Sequence, residues 1–260
     1  MDQAELEKLF DVRERVAIIT GGTRGIGRAV AEGLVCGGAR VVVGSRKAEA
    51  CRETEAHLRA LGRESGGEAV ALPAHMGELD AAVALVDRAA DAFGGVDIVV
   101  NNAANALAQP LGAFTPEAWQ KSFDVNLRGP VFLVQAALPY LEGSAHASVV
   151  NVISAGAFLF SANVAMYAAA KAALMSFTRS MAADFAPRGI RVNALAPGTV
   201  DTDMVRANTP EAQRSMANAS FMRRAASPDE MVGPVLYLAS DASSFMTGQV
   251  LLVDGGLVPH

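Results

Sequence analysis

The sequence predicts an α/β protein built on one doubly wound parallel sheet of about seven strands, with helices on both faces. Short apolar runs rich in valine and isoleucine recur at Val16–Thr20, 40–44, 69–72, 97–101, 148–153, 191–195 and 250–254. They are continuous rather than alternating, as expected of strands covered on both faces. Helical stretches lie between them, at 26–35, Ala48–Leu61, Leu79–Phe93, 117–140, 164–185 and 229–238. Such alternation over the whole chain gives a parallel sheet. No internal repeat, low-complexity linker or second core interrupts it. Residues 1–260 therefore read as one domain, with 1–11 as an N-terminal extension.

Bulk composition excludes several classes of partner. Half of the residues are apolar (51%) and the formal net charge is −5. With no basic block, neither nucleic acid nor an anionic membrane surface is expected as a partner. Cys36 and Cys51 form no CxxC, and His57, His75, His146 and His260 are scattered, so no metal site is predicted and a reducing, cytoplasmic setting fits. The first residues, from Met1 to Glu7, are too acidic for a secretory signal or transit peptide. Residues 147–170 carry no charge, but Asn151, Ser154, Gly156, Ser161 and Asn163 interrupt them, which argues against a membrane span.

Taken in order, the first strand ends in Ile19-Thr20-Gly21-Gly22-Thr23-Arg24-Gly25-Ile26-Gly27. Glycines between a strand and a helix let the backbone approach a pyrophosphate, which the helix N-terminus then holds. The turn predicts a Rossmann-like nucleotide site, with an unusual G-x-x-x-G-x-G spacing. The second strand ends Val43-Gly44-Ser45-Arg46-Lys47, with no acid to hold a ribose 2′-hydroxyl. Arg24 projects from the glycine turn, and basic residues at helix N-termini oppose the macrodipole unless an anion offsets them. NADP(H) is therefore expected in preference to NAD(H).

The fourth strand runs into Asn101-Asn102-Ala103-Ala104, at the sheet edge where such folds bind ligands. Small residues there permit close approach of a cofactor, and would equally suit a turn. In the long helix, Pro130 stands four residues after Asn126. A proline inside a helix clashes with the carbonyl four back, so a kink freeing the Asn126 carbonyl is predicted. Helix starts are marked by Thr115-Pro116-Glu117, Thr209-Pro210-Glu211 and Ser227-Pro228-Asp229-Glu230, the last a capping box.

The fifth strand ends at Ser154, and Tyr167 and Lys171 follow at helical i,i+4 spacing, on one face. A phenol beside a cation has its pKa lowered, which would make a proton-transfer device. Alone, the pair would also suit a half-buried tyrosine and a solvated lysine.

Together these residues resemble the short-chain dehydrogenase/reductase family. The resemblance covers nearly the whole chain. It rests on Thr20-Gly21-x-x-x-Gly25-x-Gly27, Asn101-Asn102-Ala103-Ala104, Asn126, Ser154, Tyr167-x-x-x-Lys171 and Pro197-Gly198. It implies a catalytic tetrad. Tyr167 would be the general acid/base, Lys171 would tune it and hold the nicotinamide ribose, Ser154 would bind the substrate oxygen, and Asn126 would hold a water linked to Lys171. It implies cofactor contacts from Gly21, Thr23, Arg24, Gly25, Ile26, Gly27, Ser45, Arg46, Lys47, Asn101 and Ala103, and from Pro197, Gly198, Val200 and Thr202 at the nicotinamide end. His75 and Met76 stand where relatives carry Asp or Asn against the adenine, leaving Met76 to hold the base. Ala104 replaces a glycine, and would be strained if that position needs positive φ.

Substrate contacts are expected from Asn105, Leu107, Phe158, Leu159, Phe160, Met166, Met204, Phe221 and Met222, with 201–224 as a mobile lid. Their apolar character suggests a neutral carbonyl or secondary alcohol. One alternative is a 3-oxoacyl-thioester reductase, with Arg128 and Arg179 facing an acidic carrier protein. Another is a non-catalytic NADP-binding sensor or scaffold, against which the intact tetrad speaks. The resemblance also implies a homotetramer, assembled through 117–140, 164–185 and 249–256.

Overall fold

The computed structural model describes residues 2–160 and 163–258; Ser161 and His260 lie outside the described residues. Seven strands form one parallel sheet: β1 Val16–Thr20, β2 Arg40–Ser45, β3 Glu68–Pro73, β4 Ile98–Asn101, β5 Ser148–Val152, β6 Arg191–Pro197 and β7 Val250–Val253. Their order is β3-β2-β1-β4-β5-β6-β7. Every predicted strand is present, within a residue or two of its expected bounds. β1, β4 and β5 are buried from end to end, which is why their sequences do not alternate. Side chains nevertheless leave each strand with period two. Ala17 and Ile19 join Val41 and Val43 in one apolar layer, while Val16 and Ile18 join Val42 in the other. At one edge, β3 ends in the exposed Pro73, where a missing N–H disturbs no ladder.

The helices are α1 Gln3–Leu9, α2 Gly25–Cys36, α3 Ala48–Leu61, α4 Leu79–Phe93, α5 Pro116–Phe123, α6 Gly129–Gly143, α7 Ala165–Phe185, α8 Asp203–Arg206, α9 Pro210–Asn218 and α10 Val232–Ala239. Leu34 and Val35 of α2, Leu58 of α3 and Val235 and Leu238 of α10 cover one face of the sheet. Leu85 of α4, Leu133 of α6 and Met181 of α7 cover the other. None of the helices among the described residues is long and apolar enough to cross a membrane.

The expected helix starts are in place. Thr115 accepts from the Ala118 N–H at 3.2 Å and Thr209 from the Ala212 N–H at 3.3 Å. Ser227 and Glu230 form the reciprocal box. The Arg224 guanidinium beside Glu230 pulls its carboxyl down to about 2.

Three elements differ from the sequence-based expectation. The stretch 117–140 is not one kinked helix. A π turn, Asp124–Arg128, joins α5 to α6, and the Gly129 N–H reaches back to the Asp124 carbonyl, five residues away. This wider turn accommodates Pro130 where a kink was expected. The stretch 229–238 divides into a 3₁₀ turn, Pro228–Met231, and α10. Within 201–224, where few large apolar residues suggested a mobile lid, α8 and α9 form.

α7 determines where the chemistry sits. Its buried stripe repeats at Met166, Ala170, Leu174, Thr178 and Ala182, a spacing of four. A buried hydrogen-bond chain fixes it along the sheet. Asn101 Nδ2 donates to Asn151 Oδ1 at 2.9 Å, and Asn151 Nδ2 donates to Thr178 Oγ1 at 2.9 Å. β4, β5 and α7 are thus held in register, bringing the residues on α7 to the end of β5.

Candidate active site

One large cavity lies across the carboxyl ends of the strands, where the strand order reverses between β1 and β4. Such a reversal opens a crevice in doubly wound sheets. Residues after β3 line one end, residues after β5 and on α7 the other. At the usual strand spacing that is a span of about 19 Å, which suits an elongated ligand with two separate heads.

The glycine turn forms the floor. Gly21 and Gly25 have φ of +68° and +54°, a region that favours glycine. A Cβ on Gly27 would lie 2.3 Å from Asn102 Nδ2, so the turn is folded directly onto the end of β4. Asn102 Nδ2 donates to the Thr20 carbonyl at 2.9 Å, and Thr20 Oγ1 accepts from the Asn102 and Ala103 N–H groups, both at 3.0 Å. Gly21, Arg24, Gly25, Ile26 and Ala103 line the cavity. Thr23 and Gly27 do not. Thr23 Oγ1 instead hydrogen-bonds Ser45 Oγ at 2.8 Å, bracing the end of β2.

Ser45 and Arg46 line the cavity, whereas Lys47 lies outside the lining. Arg46 is exposed, and among the described residues no carboxylate pairs with it. Arg24 was expected to be offset by a bound anion, and the structure gives it a carboxylate of the chain itself. Its Nη1 donates to Asp203 Oδ2 at 3.0 Å. His75 and Met76 also line the cavity, and His75 Nδ1 accepts from the Gly77 N–H at 3.0 Å. Ala104 is not strained, since Glu14 and Arg223 are the non-glycine residues with positive φ among the described residues.

Asn101 was expected at the cofactor. Its side chain is buried outside the lining, committed to Asn151 and, at 3.3 Å, to the Pro130 carbonyl. Asn126 is fully buried and also outside the lining. Its side chain clasps the backbone of Asn105, accepting from the N–H at 3.1 Å and donating to the carbonyl at 2.8 Å. The side chain therefore pins the loop after β4.

At the other end Ser154, Tyr167 and Lys171 share one wall. Ser154 Oγ accepts from the Gly156 N–H at 3.0 Å, which orients the hydroxyl. Lys171 is 1% exposed. Its Nζ donates to the Val152 carbonyl at 2.7 Å and lies 5.8 Å from the centre of the Tyr167 ring. Burial pulls the Lys171 ammonium down to about 7. The expectation that Lys171 lowers the Tyr167 pKa is reversed. Burial raises the phenol, and a hydrogen bond with Ser154 draws it part of the way back. Desolvation outweighs the Ser154 hydrogen bond, and Lys171, itself drawn down to about 7, is only about half charged at pH 7.

Pro197, Gly198, Val200 and Thr202 also line the cavity, with Thr202 packed on the glycine turn. Of the expected substrate contacts, Asn105 and Met204 line the cavity. Phe158 and Phe160 do not, and Phe160 is 98% exposed. Lys121 and Asp203 also line it. A substrate region of mostly apolar character with little fixed charge was expected; Lys121 and Asp203 were not among the expected lining residues, because packing alone brings their elements to the cavity.

The chain fits a dinucleotide. It offers a glycine floor that admits no side chain, an unpaired Arg46 at one end, and at the other a lysine with two donors beyond its bond to Val152.

A family model described as enoyl-(acyl carrier protein) reductase matches residues 21–258. A cis-4-hydroxycyclohexanecarboxylate dehydrogenase of Sinomonas cyclohexanicum is 38% identical, over 94% of this chain and 96% of its own. Human dehydrogenase/reductase SDR family member 4 is 36% identical, over 93% and 87% respectively. Among solved structures, a 3-oxoacyl (acyl-carrier-protein) reductase from Agrobacterium tumefaciens C58 with NADP bound is 39% identical. It superposes with a TM-score of 0.89 over 98% of each chain.

Proposed function

The chain belongs to the short-chain dehydrogenase/reductase family and is an NAD(P)-dependent oxidoreductase of alcohol and carbonyl groups; from that premise, we propose that it prefers NADP(H) and acts on a small neutral carbonyl or secondary alcohol. One observation carries the proposal: Ser154, Tyr167 and Lys171 converge on one wall of a cavity whose far end presents an unpaired arginine.

In reduction, the Tyr167 phenol gives its proton to the carbonyl oxygen of the substrate, and in oxidation the phenolate takes it back. Ser154 donates to the same oxygen as negative charge develops there, a role worth roughly 2.7–4 kcal/mol for a well-placed donor. Lys171, anchored on the Val152 carbonyl, offers its remaining donors to the nicotinamide ribose. The nicotinamide, when bound, supplies or accepts the hydride. Asn126 acts by holding the Asn105 loop against the cavity. Gly21, Gly25, Ile26, Ala103, Met76, Pro197, Gly198, Val200 and Thr202 form the bed of the cofactor, with Thr23 bracing Ser45. Residues 201–224 act as the substrate lid.

Arg46 is assigned to the 2′-phosphate of NADP. Arg46→Ala is expected to weaken NADPH binding at least tenfold while leaving NADH binding unchanged, a charge-assisted phosphate contact being worth about 1.5–3 kcal/mol. Fluorescence titration with both cofactors measures this. Equal loss for both would remove Arg46 from the phosphate site. Turnover on a panel of ketones, aldehydes, secondary alcohols and a 3-oxoacyl thioester tests the activity itself. Tight NADPH binding with no turnover on the panel would favour the sensor. The thioester substrate is the second reading, supported by the Agrobacterium structure. Arg128 is a poor candidate for carrier docking, because it is tied to Asp124 at 3.1 Å and to the Gly77 carbonyl at 2.9 Å.

A homotetramer is supported by Trp119, Phe132 and Phe177, which expose large apolar surface on α5, α6 and α7, and by the half-exposed edge strand β7. Light scattering is expected to give four chains, and a monomer would end that reading. Free Cys36 and Cys51 accord with a cytoplasmic setting.

A further inference from the structure

We propose that Asp203 is an internal competitor for the cofactor's phosphate. It holds Arg24 until NADP(H) binds, and so ties cofactor choice to the first turn of the lid. This rests on the oxidoreductase reading above.

Arg24 and Asp203 come from elements far apart in sequence and both line the cavity. Arg24 is the residue before α2, where its positive charge faces the positive end of the helix dipole with no capping hydrogen bond from its side chain. Asp203 opens α8 and offsets that charge at 3.0 Å. The adjacent Thr202 packs on the glycine turn, for a Cβ on Gly25 would lie 3.1 Å from Thr202 Cγ2. The start of the lid is thus seated on the floor of the cavity by one ion pair and one close contact.

The pair is built to exchange. Both side chains are more than half exposed, at 64% and 57%, and an exposed pair of this kind is weak. A phosphate dianion is a stronger and bidentate partner for a guanidinium. Asp203 is not left alone when Arg24 departs, because Arg206 lies 4.0 Å from its other oxygen. Arg206 is in turn held by Asp201 at 2.8 Å, so it stays in place to receive Asp203. One ion pair is replaced by another on the lid while Arg24 passes to the cofactor. NAD(H), which has no 2′-phosphate, offers Arg24 no such partner.

The test is a set of binding titrations on the whole protein, following reduced-nicotinamide fluorescence. Asp203→Asn keeps shape and exposure while removing the charge. It is expected to tighten NADPH about three- to fivefold, the scale of an exposed ion pair, and to leave NADH unchanged. In an Arg24→Gln background the same substitution is expected to have no effect on NADPH. Equal tightening of both cofactors would reduce Asp203 to a general negative charge and overturn the proposal. Unchanged or weaker NADPH binding would overturn it too, as would a gain that survives in Arg24→Gln. If wild-type protein binds neither cofactor, the oxidoreductase reading itself fails, and this proposal with it.

Discussion

Tyr167→Phe is expected to lower kcat by about 10²–10⁴-fold, the usual contribution of a positioned general acid/base, with NADPH binding unchanged. The substitution removes one oxygen. It keeps the ring that packs 5.8 Å from Lys171 Nζ. Because burial raises the phenol's pKa, it is protonated at neutral pH and ready to act as the acid in reduction. Oxidation needs the phenolate, so the oxidative rate is expected to climb with pH beyond neutrality while the reductive rate falls. Steady-state rates in both directions across pH, on wild type and variant, measure this. A variant that keeps more than a tenth of kcat would place the proton donor elsewhere.

Lys171→Met is expected to yield a protein that is inactive and, at pH 7, more stable than wild type. At and below pH 7 folding must bury a charged ammonium that the unfolded chain leaves in water. Its folded pKa of about 7, against an ordinary 10.5, makes that cost on the order of 5 kcal/mol. Between pH 7 and 10.5 the folded protein releases the proton while the unfolded chain keeps it, so wild-type stability rises through that window and the cost disappears above it. Methionine fills similar space without charge but leaves the Val152 carbonyl without its partner, a loss of about 1–3 kcal/mol. The net gain at pH 7 is therefore a few kcal/mol. Urea unfolding of both proteins at pH 7 and pH 9.5 is expected to show the gap shrinking at the higher pH. A gap that is constant with pH, or that favours wild type at pH 7, would mean that the ammonium is not desolvated by folding. A site that costs stability in exchange for chemistry is a familiar compromise.

The fold was nearly all legible before the structure, for a physical reason. Strands such as β4, with Ile98, Val99 and Val100 buried on both faces, must be largely apolar, and helices such as α4 must carry a periodic apolar stripe. These are local patterns. The elements that differed are those where local rules compete. The π turn at 124–128 is decided by how the chain relieves Pro130 within a packed helix. α8 and α9 form within a stretch whose composition offers little apolar patterning.

The same division runs through the candidate site. Residue identity and spacing along the chain were enough to single out the glycine turn, the basic end of β2, Ser154, and the pair Tyr167 and Lys171 on one helix face, because each depends on a single strand, turn or helix. Charge state and partnership needed the third dimension. Only burial reveals that Lys171 falls to about 7 and that the Tyr167 pKa rises. Only packing brings Asp203 to Arg24 across the cavity, draws Asn101 inward to Asn151 and sets Asn126 against Asn105. Electrostatics and hydrogen bonding depend on distance in space and on exclusion of water, and neither is a function of separation along the chain.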